Sequence, residues 1–310
     1  PLGFINLVLK RPLPDSAVTL KATANSWPGY RSEIDATSAL NNNGSVRGRI
    51  AVSYDDSDSF VDELESEKKT LYATLEWDLA KDTTLSIGST LEKTDDTPYV
   101  GVPTYADGRF GDFSRELYTG SPFNYKESDV SRQFVELAHR FQSGAEAVLT
   151  LNNMHRDFAY LLNYTVSPID PDTGEVTRWA LQTDQELSEF SVDAHLNLPY
   201  ALFDREHKLL IGVDSRDADD KTDGYAIDFA YPPINVFNPD SASNPDPRET
   251  MQQFRGPSQR DTKETGLYFK STSHITDATQ VIPAVDSPIG RPMTARKSSR
   301  WRTSSRRILA

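Results

Sequence analysis

The sequence predicts an all-β chain, an antiparallel up-and-down sheet of the transmembrane β-barrel type. Three observations carry this. Apolar and polar residues alternate with a period of two along some ten segments, the pattern of a half-covered strand. Connections alternate between tight turns and long polar loops, the layout of a barrel with short turns at one membrane face and long loops at the other. No apolar run approaches the roughly 18 residues of a membrane helix.

The strands come in order. Val18, Leu20, Ala22 and Ala24 alternate with Thr19, Lys21 and Thr23. Tyr30, Ile34 and Ala36 alternate with Arg31, Glu33 and Asp35. Val46, Ile50, Val52 and Tyr54 oppose Arg47, Arg49 and Ser53. The clearest run sets Leu71, Ala73, Leu75, Trp77 and Leu79 against Tyr72, Thr74, Glu76 and Asp78. Leu85, Ile87 and Leu91 follow, then Val135, Leu137 and Phe141, then Ala147, Leu149 and Leu151. Phe190 through Leu198 oppose Ser191, Asp193, His195 and Asn197; Leu209, Ile211 and Val213 make the ninth strand, Leu267 and Phe269 the tenth. An eleventh starts at Thr279. Turns with Asn, Asp or Gly fall at 41–44, 80–82, 142–144 and 275–277, with a somewhat longer one at 199–207; the long loops are read at about 55–66, 95–130, 163–178 and 216–262. Alternation alone does not separate a membrane barrel from a soluble β protein, because each has one apolar face. The loop asymmetry favours the barrel, and strands of 9–11 residues match a tilted membrane span.

Composition narrows the function. A chain of 310 residues needs no disulfide or metal to hold a core. The absence of Cys removes disulfide frameworks, Cys-zinc sites and thiol nucleophiles. A net charge of −13 argues against a nucleic-acid binder. The N-terminus lacks the charged start and apolar stretch of a signal peptide, and reads as a processed or incomplete end. Residues 283–310 carry seven Arg and Lys against the single acid Asp286, while the preceding 282 hold 45 acidic residues to 26 basic ones. Three readings compete for this basic stretch: an arm for acidic surfaces, an inert solvated tail, or a frameshift. The loss of alternation halfway through a strand favours an aberrant, frameshifted and disordered tail.

One resemblance is specific. Gly3-Phe4-Ile5-Asn6-Leu7-Val8-Leu9-Lys10-Arg11-Pro12 resembles the end of the plug domain of TonB-dependent siderophore receptors. Tyr30-Arg31-Ser32-Glu33-Ile34-Asp35 and Asn43-Gly44-Ser45-Val46-Arg47-Gly48-Arg49 are similar to that family's second and third barrel strands, and Tyr54-Asp55-Asp56-Ser57-Asp58-Ser59-Phe60 to its next loop entry. Gly101-Val102-Pro103 and Tyr105-Ala106-Asp107-Gly108-Arg109 resemble its third extracellular loop. The likeness covers about 1–282 and is closest to ferric hydroxamate and pyoverdine-type receptors. It implies the plug end at 1–14, the first half of the barrel at 15–282 (about 10–11 of a family-typical 22 strands) and location in a bacterial outer membrane. It also implies import of ferric siderophores with energy from the TonB complex, with iron held by the chelator rather than by a protein cofactor. An unclosed sheet would leave backbone groups unpaired in lipid, so function would rest with an intact parent.

Uptake calls for aromatic and polar groups at the extracellular mouth rather than for catalytic residues. The stretch 96–129 holds Tyr99, Tyr105, Phe110, Phe113, Tyr118, Phe123 and Tyr125, about twice the chain's 10% aromatic share. With Tyr160, Tyr164, Trp179 and Tyr225 these give the candidate ligand contacts Tyr105, Phe110, Phe113, Tyr118, Tyr125, Tyr160, Trp179 and Tyr225. Packing of the loop against itself, or an interfacial girdle, accounts for the same aromatics equally well. Phe229, Tyr231 and Phe237 sit in the last long loop; Trp27 and Trp77 read as girdle or lipid-facing residues. Ser191, Asp193 and His195 are too far apart along one strand for a triad and read as lumen wall. The acidic stretch 214–223 lacks the Gly and closing Glu of a calcium loop and reads as a solvated loop. Residues 170–175 read as a turn, and the scattered His show no metal spacing. The rival classes are a passive porin or adhesin barrel, and a soluble β-rich carbohydrate-binding or hydrolase domain.

Overall fold

The computed structural model describes residues 9–226, 231–240, 244–249, 251–276, 279–289 and 293–298. They form an antiparallel sheet in which each main strand pairs with the next in sequence. The strands are β1 (Ala17–Ala24), β2 (Gly29–Ala39), β3 (Val46–Asp58), β4 (Glu65–Ala80), β5 (Thr83–Asp96), β6 (Tyr125–Arg140), β7 (Glu146–Thr165), β8 (Glu175–Leu202) and β9 (Arg205–Ala226). A short β10 (Tyr231–Asn235) pairs with the tip of β8, and β11 (Gln252–His274) continues the sheet beside β9. β12 (Gln280–Val281), β13 (Ala284–Pro288) and β14 (Met293–Ser298) lie along the other edge of β11.

Which side faces lipid follows from burial. On β4 the apolar set is the exposed one: Leu75 is 37% exposed and Trp77 48%. Between them Glu76 is 6% exposed, and Thr74 is buried too. A water-soluble sheet shows the reverse. Cross-strand register carries the pattern sideways, since Leu75 faces Ile87, Ile87 faces Val135 and Val135 faces Leu151. These side chains make an outward apolar belt whose only suitable solvent is hydrocarbon.

The opposite, inner face is polar and self-satisfied. Arg49 grips Asp35 through Nε at 2.8 Å and Nη2 at 2.7 Å. Arg47 holds Asp78 at 2.6 Å. Residues 9–14, the described part of the expected plug end, run across this face. Lys10 binds Asp35 at 2.8 Å and Glu33 at 3.4 Å. Arg11 reaches Glu76 at 2.8 Å on β4 and Glu136 at 2.5 Å on β6. Tyr72 donates to the Lys10 carbonyl and Arg49 to the Arg11 carbonyl. One short segment thus spans five strands of the inner wall. Residues 1–8, which hold the first part of the Gly3–Pro12 motif, lie outside the described residues. Gly88 is needed on this wall, because a Cβ there would sit 2.2 Å from the Phe134 ring.

Strand lengths differ from the expected 9–11 residues. β7, β8 and β9 have 20, 28 and 22 residues. At roughly 3.4 Å per residue, β8 is about three times the depth of a hydrocarbon core, so its tip stands far outside. The stretches 152–157, 182–189 and 214–223 within them are mostly polar on both faces and give no period-two signal. For that reason 214–223, expected as an acidic loop, is instead part of β9. Its charges are matched across strands by Lys221 to Glu186 at 3.1 Å and Lys263 to Asp217 at 2.8 Å. Similarly 199–207 is mostly strand, closed by a two-residue turn at Phe203 and Asp204, both with positive φ near 55°. Residues 284–288 and 293–298, expected to be disordered, are extended and paired to β11. The physical reason is the open edge of β11, whose unpaired amides and carbonyls template any chain that returns past it. Residues 299–310 lie outside the described residues.

The two faces predict opposite tolerance. Leu75→Arg, at the middle of the apolar belt, is expected to cost about 2–4 kcal/mol. Thr70→Arg, on the inner face opposite Glu92, is expected to cost under ~1 kcal/mol. Urea titrations of the chain in lipid vesicles, read by tryptophan fluorescence, measure both; equal costs would refute the assignment of faces.

Candidate functional site

The aromatics expected to contact ligand fall into three environments. The loop 97–124 carries the first group. It packs against 166–174 and the segment around β10 to make a small core outside the membrane. Leu117, Ile169, Val176, Ile234 and Val236 are buried there, with Tyr105 and Phe113 against them. Tyr118 is also buried, its ring 5.5 Å from that of Tyr99, and burial pushes its phenol pKa up. Tyr105, Phe113 and Tyr118 therefore build the loop. Phe110, 69% exposed, projects from a tight reversal in which Thr104 bridges Phe110 and Gly108 takes φ 84°.

The second group is set by register. β7 and β8 pair without a slip from Glu146 opposite Asn197 to Thr165 opposite Arg178. Alternation therefore holds to the tips. Leu161 and Asn163 continue the face of Leu149 and Leu151, and are covered by loop. Tyr125, opposite Leu161, and Tyr225, opposite Gln182, lie on that same outward-continuing side.

The third group is the inner one. Tyr160, Tyr164 and Trp179 continue the inner face above the Lys10–Arg11 crossing, with Tyr164 directly opposite Trp179. Phe158 joins them, its ring 5.6 Å from that of Tyr160. The Arg156 guanidinium lies 5.0 Å over Phe158 and donates to Gln185 at 2.6 Å. So the structure brings Tyr160 and Trp179 to one wall and separates them from the other candidates. Phe158 and Arg156 escaped the sequence reading. Their signal was available, because residues 156, 158, 160 and 164 share a period-two face, but the polar stretch Asn152–Asp157 interrupts the alternation of that strand after Leu151. Trp77 is lipid-facing as expected; Trp27 packs near Phe60 at 6.0 Å with Arg115 over both rings.

The loops are tied to this wall by Arg178. It is fully buried, and among the described residues it meets no carboxylate within ion-pair distance. Its guanidinium donates to the carbonyls of Gly120 at 2.8 Å and Pro232 at 2.7 Å, with Thr119 O at 3.4 Å and Asn244 Oδ1 at 3.0 Å. The Tyr231 ring lies 5.1 Å away, and Tyr231 donates in turn to the Pro245 carbonyl. Burial lowers the guanidinium pKa to about 10, so it stays charged at neutral pH. One side chain on β8 thus fastens the loop 97–124 to the segment 231–245. Asn124 and Asn163 add a second tie: Asn124 accepts from the Asn163 amide at 2.8 Å and donates to its carbonyl at 3.2 Å. The turn at 170–174 forms as expected, with Asp170 Oδ1 accepting from the amides of Asp172 and Thr173. Those bonds hold the Asp170 pKa below its ordinary value.

Other sites carry less. Asp193 receives Tyr268 at 2.6 Å and, contrary to the expected separation along the strand, also meets His195 at 2.7 Å, because their side chains share the inner face and lean together; Asp193 and His195 line the lumen wall as expected. Among the described residues no cluster of His, Asp and Glu could hold a metal ion. A depression of about 520 Å³ runs past Val52, Leu71, Leu91, Ser131 and His155, which face outward, so it opens toward lipid.

No protein-family model matches the chain. Curated proteins do. The chain is 24% identical over 290 residues to the ferric-pyoverdine BN7/BN8 receptor of Pseudomonas putida, covering 91% of this chain and 36% of that protein. It is 28% identical over 215 residues to the ferripyoverdine receptor of Pseudomonas aeruginosa, covering 68% and 26%. The ferrioxamine B receptor of Salmonella typhimurium is 24% identical over 254 residues, covering 79% and 35%. The chain is related to siderophore receptors. The solved ferripyoverdine receptor of the Pseudomonas aeruginosa outer membrane superposes with a TM-score of 0.78 at 24% identity, over 94% of this chain and 40% of that one. The ferric-catecholate import receptor Fiu of E. coli gives 0.78 at 17%, over 89% and 45%. The receptor-type barrel fold expected from the sequence is therefore present. The chain spans about a third of the length of the siderophore receptors it matches in sequence. These relatives are receptors rather than enzymes.

Replacing Arg178 tests its hold on the loops. Arg178→Met removes the donor from the carbonyls of Thr119, Gly120 and Pro232 and is expected to cost ~3 kcal/mol of loop stability. Cleavage by added protease within 97–124 should speed at least tenfold, and Arg178→Lys should restore protection only in part. Unchanged cleavage in Arg178→Met would refute the role.

Proposed function

We propose that this chain builds the first half of the barrel wall, and part of the extracellular mouth, of an outer-membrane receptor that binds ferric siderophores and imports them. The carrying observation is the inner wall. It is held by Lys10 and Arg11 toward the short-turn end and lined above by Phe158, Tyr160, Tyr164 and Trp179. Planar aromatics give a rigid, low-entropy surface for a bulky chelate. Phe110, exposed on its loop, is placed to meet ligand from outside. Tyr105, Phe113, Tyr118, Tyr125 and Tyr225 support the mouth rather than touch the ligand. Iron travels inside the chelator, so the wall needs no metal ligands of its own.

Energy from the TonB complex fits a lumen that is occupied rather than open. The chain crossing at 9–14 makes ion pairs to several strands, and something must move it before cargo passes. This arrangement disfavours a passive porin. The exposed apolar belt disfavours a soluble carbohydrate-binding domain. The relatives' named ligands, pyoverdines and ferrioxamine B, give the chemical range of the cargo: iron chelates.

The test is uptake. A receptor carrying this chain, expressed in iron-starved cells, should import radioiron supplied as ferric siderophore, and import should stop when the proton-motive force is collapsed. Tyr160→Ala with Trp179→Ala should lower the affinity about tenfold or more at unchanged surface abundance. Uptake that persists without the proton-motive force would establish a passive pore instead.

A further inference from the structure

Cations on the inner wall are mostly matched by a neighbouring acid. Arg31 pairs with Asp55 at 3.4 Å, Lys68 with Glu92 at 2.9 Å, Lys126 with Asp96 at 2.6 Å, and Arg216 with Glu189 at 2.7 Å. Arg132 and Arg156 differ. Neither has a carboxylate within ion-pair distance among the described residues. Arg132 shares the inner face with Glu136, two pleats further out. It stands opposite Met154, which places Arg156 at its diagonal neighbour on β7, about 7 Å away. Two like charges at that spacing repel, and the inner-face acids nearest them, Glu92, Glu189 and Asp220, are already bonded to Lys68, Arg216 and Gln185.

Arg156 is held ready for a partner. Its guanidinium stacks on Phe158 at 5.0 Å, and Nη2 donates to Gln185 Oε1 at 2.6 Å. Gln185 is itself fixed by donating to Asp220 at 2.9 Å. That orients the planar fork, yet its Nε–H is buried and has no acceptor. A buried charged donor without an acceptor is uncommon in a native structure, so the guanidinium has bonding capacity that the wall itself leaves unused.

We propose that Arg132 and Arg156 form an anion-recognition site on the inner wall, directly below Phe158 and Tyr160, which selects ferric chelates of net negative charge. The inference rests on the transport reading and adds the cargo's charge to it. The guanidinium fork suits the paired oxygens of a carboxylate or catecholate. The aromatic side chains above take the flat parts of the same ligand. Arg132, exposed and unpaired, supplies the long-range attraction, and Arg156 the oriented bonds.

The test uses a receptor carrying this chain, purified in detergent, with two probes: a ferric tris-catecholate of net negative charge and a neutral ferric tris-hydroxamate. Binding is followed by quenching of tryptophan fluorescence. Arg132→Gln with Arg156→Gln should weaken the tris-catecholate about a hundredfold and leave the tris-hydroxamate within about twofold. Arg156→Lys should recover only the salt-sensitive part. Heat-modified mobility on gels checks that each variant is folded. Equal losses for both probes would overturn the inference, since they would mean a structural role. So would no loss for either, which would leave the two arginines to a neighbouring protein segment. A folded wild-type receptor that binds neither chelate would overturn the transport reading itself, and this inference with it.

Discussion

Hydrogen bonding of the backbone inside hydrocarbon is the constraint on which the rest of this structure depends. In lipid no water satisfies an unpaired amide or carbonyl, so a strand crossing the membrane must be paired on both sides. Neighbour-to-neighbour antiparallel pairing meets that demand with the shortest connections. It also fixes the faces, because unbroken register keeps each side chain on one side from turn to tip. The inverted burial of β4, with Leu75 out and Glu76 in, is the direct consequence. A soluble sheet with the same sequence period would be turned inside out.

The same pairing turns the polar side chains inward. Charges facing a lumen have to be matched, and here they are matched in two ways. Some pair within the wall, as Arg49 does with Asp35. Others are met by Lys10 and Arg11 from the segment that enters the barrel. These pairs are partly screened, so each one contributes modestly; their number and spread across β2 to β6 give the crossing its register. Higher on the same wall the matching lapses at Arg132 and Arg156, beside the aromatics.

Outside the membrane the logic reverts to that of ordinary proteins. The buried apolar cluster of Leu117, Ile169, Val176, Ile234 and Val236 lies in the loops, not in the barrel. Arg178 organises it by giving its donors to main-chain carbonyls of two separate segments. A buried guanidinium without a counter-ion is costly unless its donors are used, which makes this arrangement specific to one packing of the loops. The mouth is thus a folded unit resting on long strand extensions rather than a set of independent loops.

The sequence by itself determined the fold class, the order of the barrel strands and the identity of the lipid-facing residues. Within the membrane each position has two solvents to choose between, and that choice is written residue by residue, as in 71–79. It did not determine the lengths of β7, β8 and β9, the strand character of 214–223 or the pairing of 284–288 and 293–298. Where both faces of a strand are wet, alternation vanishes, and pairing is decided by the neighbouring edge. The inner wall shows the same division. Tyr160 and Trp179 were legible as aromatics near a mouth. Only the unbroken register of β7 and β8 put them on one inner face with Phe158 and Arg156, and left Tyr125 and Tyr225 on the other. Aromatic composition cannot separate a contact residue from a packing residue, because both bury the same rings. The direction of the side chain separates them, and tertiary pairing sets that direction.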